Sequence, residues 1–159
     1  ALALVACAAL AVVSFALARD VGELRIALAG DVALEIADEG PAIGVRASGW
    51  PGAAFHPSGD DVLQVAVFTS EGCAMCHRVA PAVDHLARDP RIDLVRFDEV
   101  DDGPVWAALG VPGSPFAIVA DQQETPYAKG TFNSLSQLES IVATAESRRG
   151  EHAEREASA

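Results

Sequence analysis

An α/β domain with its elements in the order β-α-β-α-β-β-α is what this 159-residue sequence predicts. Three observations carry that reading. The apolar run Val62-Leu63-Gln64-Val65-Ala66-Val67-Phe68-Thr69 has the pattern of a buried strand and leads into an amphipathic, helix-like stretch. Two short β-like segments flank the turn signal Gln122–Pro126. A Ser/Asn capping signal then opens a last helical run.

Each element has its own warrant. Val62–Thr69 is the first strand. Ala74–Arg88 follows as a helix, with Val79, Val83, Leu86 and Ala87 on one face and Pro81 inside it as a potential kink. Asp89-Pro90 ends it. Ile92–Phe97 alternates apolar and polar residues, as a strand does. The crossover helix makes these two strands parallel neighbours. Pro104–Leu109 is a short helix, with proline in its first turn and Gly110 at its end. Phe116–Ala120 and Tyr127–Thr131 form an antiparallel hairpin. Asn133 or Ser134 caps a helix from Leu135 to about Arg148, whose core face is Leu138, Ile141, Val142 and Ala145. The domain is thus read as 62–148, followed by a charged tail, 149–159, that is expected to fray.

The chain upstream differs in kind. Ala1–Ala18 carries no charge, and its single hydroxyl is Ser14. Such a run spans about 27 Å as a helix, close to a bilayer core. It begins at Ala rather than Met, so it is read as the remainder of a longer transmembrane anchor or uncleaved signal. Leu4-Val5-Ala6-Cys7 has a lipobox flavour, but the apolar run continues past Cys7, so Cys7 is taken as a small membrane-helix residue. Residues 19–61 are read as a juxtamembrane segment and linker, with turn signals at Trp50-Pro51-Gly52 and Pro57–Asp61. Trp50 and Trp106 are expected to be packing residues, although a linker Trp50 can also line a partner surface. The formal charge of −12 excludes nucleic acid as a partner, because nothing here can neutralise a run of phosphates. It equally argues against docking on anionic lipid.

The chemistry concentrates in Cys73-Ala74-Met75-Cys76. With Cys7 set aside, these are the only thiols of the globular part. They stand where a strand ends and a helix begins, where backbone N–H groups and the helix dipole favour an anion. A thiolate stabilised there attacks disulfides at neutral pH. Other chemistries share the motif. Cys73-Ala74-Met75-Cys76-His77 matches covalent haem attachment, with His77 as one axial ligand and His56, His85 or His152 left to supply the other. Zinc needs two further ligands, and His77 and His85 lie on the same helix as the thiols. The acidic turn Asp98-Glu99-Val100-Asp101-Asp102 lacks calcium-loop spacing and reads as a solvated helix cap.

The element order, the placement of Cys73 and Cys76, and Gly113-Ser114-Pro115 just before the third strand together resemble the thioredoxin-like superfamily. The resemblance implies a thioredoxin fold, a central mixed sheet flanked by helices, here with one N-terminal transmembrane helix. It also implies a cis-proline at Pro115 beside the thiols. Proline lacks an N–H, and the sharp turn leaves a backbone edge that can pair with an extended peptide. The chain further looks like the membrane-tethered MauD group of methylamine utilisation accessory proteins, related to TlpA-like redoxins. That likeness rests on the apolar start, Gly40-Pro41-Ala42-Ile43-Gly44, Phe68–Cys76, Lys129–Leu135 and Gln137-Leu138-Glu139.

What the resemblance implies is a thiol–disulfide oxidoreductase. Cys73 attacks and Cys76 resolves; Pro115, Ser114, Gly113, Ala74 and Met75 form the substrate groove; His77 and Glu71 modulate. No cofactor or metal is required. The domain would sit outside the cytoplasm on a single-pass anchor in the cell membrane. It would act on thiols and disulfides of exported proteins, such as a cysteine-rich dehydrogenase like methylamine dehydrogenase, with a membrane redox partner recycling the pair. The alternative is a binding or chaperone-like module that uses the groove without turnover. The sequence departs from the family pattern in three places. Ala74 replaces the proline usual in MauD-like chains, Gly72 replaces the tryptophan of thioredoxin, and Val67 occupies the place of its buried aspartate.

Overall fold

The computed structural model describes residues 33–56, 59 and 61–158. The expected membrane anchor at 1–18 and the start of the juxtamembrane segment lie outside them. Among the described residues no helix is long and apolar enough to cross a membrane. The elements are a 3-10 turn Gly52–Ala54, then β1 (Leu63–Thr69), α1 (Ala74–Leu86), β2 (Ile92–Asp98), α2 (Gly103–Leu109), β3 (Phe116–Ala120), β4 (Pro126–Thr131) and α3 (Leu135–Ala157).

The four strands form one sheet in the order β2-β1-β3-β4. β1 runs parallel to β2 and antiparallel to β3, and β3 runs antiparallel to β4. The parallel pair follows from the α1 crossover and the antiparallel pair from the tight Asp121–Thr125 turn. In that turn Asp121 Oδ1 accepts the N–H groups of Gln123 and Thr125, both at 2.9 Å. An aspartate that mimics the backbone this way fixes the hairpin.

Alternation along the strands builds two cores. One face carries Leu63, Val65 and Val67 of β1 with Ala117 and Val119 of β3. It is covered by Val79, Val83 and Leu86 of α1 and by Leu138, Ile141, Val142 and Ala145 of α3. The other face carries Ala66, Phe68, Phe116, Ile118 and Ala120 under Trp106 and Leu109 of α2. Because β1 is central and covered on both sides, it reads as continuous apolar sequence rather than alternation. Ser134 caps α3 by accepting the Gln137 N–H at 3.3 Å. Gly110 ends α2 in the left-handed region, at φ 62°, where a side chain would be strained.

Three features differ from the sequence reading. Ala87, expected on the core face of α1, is exposed and serves as its C-cap. The last helix does not end near Arg148 but continues to Ala157. Its added turns are rich in Ala, Glu and Arg, good helix formers that tolerate one glycine, and the His152 ring meets Tyr127 edge-on at 5.8 Å.

The largest difference concerns residues 33–56, which are packed against the domain. The Gly44 N–H donates to Pro126 O and the Ala47 N–H to Glu124 O, both at 2.8 Å. The Thr131 N–H donates to Leu34 O at 3.2 Å, so this segment runs along the outer edge of β4 and shields it. Trp50 is buried, stacks on Phe55 at 5.6 Å and donates from Nε1 to the buried Gln64 Oε1 at 2.7 Å. Trp50 therefore packs and does not offer a surface to a partner. Gly49 makes room for the approach to α2: at φ 86°, a Cβ there would lie 2.7 Å from the Ala108 Cβ. Lys129, the only lysine in the chain, is buried and donates to Ala37 O at 2.9 Å.

Candidate active site

The site forms where β1 gives way to α1. Ser70–Gly72 turns the chain, and the Cys73 N–H closes that turn on Ser70 O at 3.0 Å. Cys73 is then the N-cap of α1. Its Sγ accepts the Cys76 N–H at 3.1 Å, taking the place that a serine or aspartate oxygen usually fills. Cys73 and Cys76 are joined as a disulfide with their Cα atoms 5.2 Å apart. Cys73 is half-buried, whereas Cys76 is only 6% exposed. One sulfur thus faces the surface from a helix N-terminus and the other is set into the core.

The second wall comes from a distant part of the sequence, brought close by topology. β1 and β3 are antiparallel neighbours with Phe68 opposite Phe116. The loop leaving β1 therefore meets the loop entering β3, which is Gly113-Ser114-Pro115. The Ser114–Pro115 peptide bond is cis, as the resemblance implied. Ser114 O lies 3.7 Å from Cys73 Sγ. Pro115 is buried, while Ser114 and Gly113 are half-exposed beside it.

The other residues named from sequence divide. Ala74 faces solvent next to Cys73. Met75 is half-buried against the α1-side core, so its side chain contributes to packing as well as to the rim. Glu71 and His77 are both exposed, and the His77 ring reaches back: its Nε2 lies 2.8 Å from Glu71 O. With the proton on Nε2, His77 clamps the turn that presents Cys73.

The acidic turn is organised differently from a side-chain cap. Asp102 is the N-cap residue of α2, yet its side chain makes no capping bond there. Its Oδ2 instead accepts the Asp98 N–H at 2.8 Å, and Asp98 Oδ1 accepts the Val100 N–H at 2.9 Å. Among the described residues no group of three or more His, Cys, Asp or Glu could hold a metal ion.

Sequence reading missed one member of the site. Asp98 ends β2 opposite Thr69, on the sheet face that α1 covers. It lines a cavity of about 170 Å³ together with Thr69, Ser70, Cys76, His77 and Arg96. The alternation Ile92, Leu94, Arg96, Asp98 was the available signal, because it sends Asp98 to the side of α1 and not into the solvent-facing turn.

Strand order, crossover and the helix-capping cysteine pair together define a thioredoxin-like fold carrying a C-x-x-C disulfide, an arrangement suited to thiol–disulfide exchange. No protein-family model matches the chain, and neither does any curated protein. Among solved structures it is similar to thioredoxin of Fasciola hepatica, with TM-score 0.49 and 21% identity, over 54% of this chain and 83% of that one. It is similar to the germline-specific thioredoxin Deadhead of Drosophila melanogaster, with TM-score 0.49 and 21% identity, over 53% of this chain and 81% of that one. Thioredoxin f2 of Chlamydomonas reinhardtii aligns with TM-score 0.47 and 18% identity, over 52% of this chain and 78% of that one.

Proposed function

We propose that this protein is an extracytoplasmic thiol–disulfide oxidoreductase working through Cys73 and Cys76. One observation carries the reading: the half-exposed Cys73 sulfur caps α1 and accepts a backbone N–H at 3.1 Å. A cap that accepts a proton donor holds a thiolate better than a thiol. In the reducing direction the Cys73 thiolate attacks one sulfur of a substrate disulfide. A Cys73–substrate disulfide forms, and the other substrate sulfur leaves as a thiolate. The Cys76 thiolate then attacks Cys73 Sγ. The Cys73–Cys76 bond forms, the mixed disulfide breaks, and two electrons have passed to the substrate. The oxidising direction is the same sequence reversed.

The setting rests on the sequence. The uncharged Ala1–Ala18 run supports a single-pass membrane anchor with the domain on the outer side. Likeness to the membrane-tethered MauD group supports exported, cysteine-rich proteins as substrates, a dehydrogenase subunit such as that of methylamine dehydrogenase among them, and a membrane partner that recycles the pair. The test uses the full chain with Cys76→Ala. It should hold a mixed disulfide with a disulfide-bonded peptide, whereas Cys73→Ala should not. If neither variant forms an adduct, and wild type neither oxidises nor reduces a dithiol peptide, the domain binds without turnover.

A further inference from the structure

We propose that Asp98 accepts the proton that Cys76 must lose when it resolves the mixed disulfide, through water in the cavity the two residues share. This rests on the exchange reading above and adds a residue to it. The need follows from burial. Cys76 is 6% exposed and opens onto a single cavity, and only a thiolate can attack Cys73 Sγ. The acceptor must therefore face the space that Cys76 opens onto.

That space is the cavity of about 170 Å³ behind the disulfide, wide enough for several waters and furnished with polar partners in Thr69, Ser70, Arg96 and Asp98. The groups facing Asp98 are few. Arg96 precedes it on β2 and is paired with Asp84 of α1. Glu71 and His77 stand at the mouth, tied to each other through the Glu71 carbonyl at 2.8 Å. Asp102 at the start of α2 is held by the Asp98 N–H. Asp98 differs from Glu71 in being half-buried and fixed: its Oδ1 takes the Val100 N–H at 2.9 Å, while Oδ2 takes no donor among the described residues. One oxygen anchors the carboxylate, and the residue lines the cavity that Cys76 also lines. On the inner side Val67, opposite Arg96 in the sheet, offers no polar atom.

The step balances. The Cys76 S–H bond breaks and its proton passes through water to the Asp98 carboxylate. The Cys76 sulfur bonds to Cys73 Sγ, and the substrate sulfur departs with the bonding pair. Asp98 then returns the proton to solvent or to the departing thiolate.

The experiment mixes the reduced full chain with a chromogenic aryl disulfide and follows the release of aryl thiolate in stopped flow. The first release reports attack by Cys73, and the second reports ring closure by Cys76. Asp98→Asn keeps an oxygen for the Val100 N–H. It should slow the second release by roughly 10- to 100-fold at neutral pH, a general-base-sized effect at the lower end of its range. The first release should be unchanged, and the deficit should shrink as pH rises and hydroxide takes over. An unchanged second release at every pH overturns the proposal, as does an equal loss in both phases. If Asp98→Asn does not fold, the carboxyl carbon resonance of Asp98 in wild type decides: a titration midpoint that moves between the dithiol and disulfide states supports it, and one that stays overturns it. Wild type that shows no second release at all removes the exchange reading itself, which a silent Asp98→Asn alone would leave standing.

Discussion

The two faces of the sheet are covered by different means. On one, α1 and α3 lay regular apolar stripes over Val65, Val67 and Val119. On the other, the short helix α2 covers only part of Phe68, Phe116 and Ile118, and the irregular segment 47–55 supplies Ala47, Trp50 and Phe55 for the rest. The difference teaches that a face can be closed without periodic structure, provided that a few large side chains are pinned. Here the pin is Trp50 Nε1 on Gln64 Oε1 at 2.7 Å, reinforced by the stack on Phe55. An exchange site needs a rigid platform, and β1, which presents Cys73, is clamped by both coverings.

Removing the pin should have the largest effect on stability. Trp50→Ala leaves a cavity and strips Gln64 Oε1 of its indole donor, so it should cost about 3–5 kcal/mol in denaturant unfolding. A cost below about 1 kcal/mol would mean that the segment merely rests on the domain. Leu138→Ala in α3, fully buried on the opposite face, should cost about 2–4 kcal/mol. Similar values for the two variants would show both faces contributing alike to one cooperative unit.

Tyr127 reports on the helical face alone. Its hydroxyl is pushed up to about 12, first by burial and then by the negative charge of Asp121. The folded value lies above the ordinary tyrosine value of about 10. The associated stability is therefore fully present below that value and is lost as pH rises from there toward about 12. Because it is the only tyrosine, phenolate absorbance in the native chain should give its midpoint directly. Tyr127→Phe should flatten the alkaline fall in unfolding midpoint, and an ordinary tyrosine midpoint would contradict the burial of that ring. The smallest effect belongs to Arg46, which pairs with Glu124 at 2.8 Å but is 74% exposed. Arg46→Ala should cost no more than about 1 kcal/mol, since exposed ion pairs contribute little.

Much of this was legible beforehand, for physical reasons that separate the two faces. Helical period exposed the core residues of α1 and α3, and the continuous apolar run Leu63–Phe68 announced a strand covered on both sides. Cys73 and Cys76 stood out because a strand–helix junction is a local signal, whereas Pro115 entered through the resemblance, and the fold brings its loop beside Cys73. The segment 33–56 was not legible as part of the domain, since it has no period and is held by long-range bonds such as Trp50 to Gln64. Asp98 was hidden for a related reason. In an acidic run, only the strand register decides which carboxylate turns toward α1 and which toward solvent. The end of α3 lay beyond reach because the charged tail 149–159 was expected to fray, while its helix-forming residues carry the helix onward to Ala157.

The relative reactivity of the two sulfurs tests the assignment most directly. Reduced Cys76→Ala and Cys73→Ala variants of the full chain are treated with iodoacetamide at neutral pH and their alkylation rates compared. Cys73, half-exposed and backed by helix amides, should react at least about tenfold faster than the buried Cys76. Equal rates, or a faster Cys76, would contradict the roles of attacking and resolving thiol.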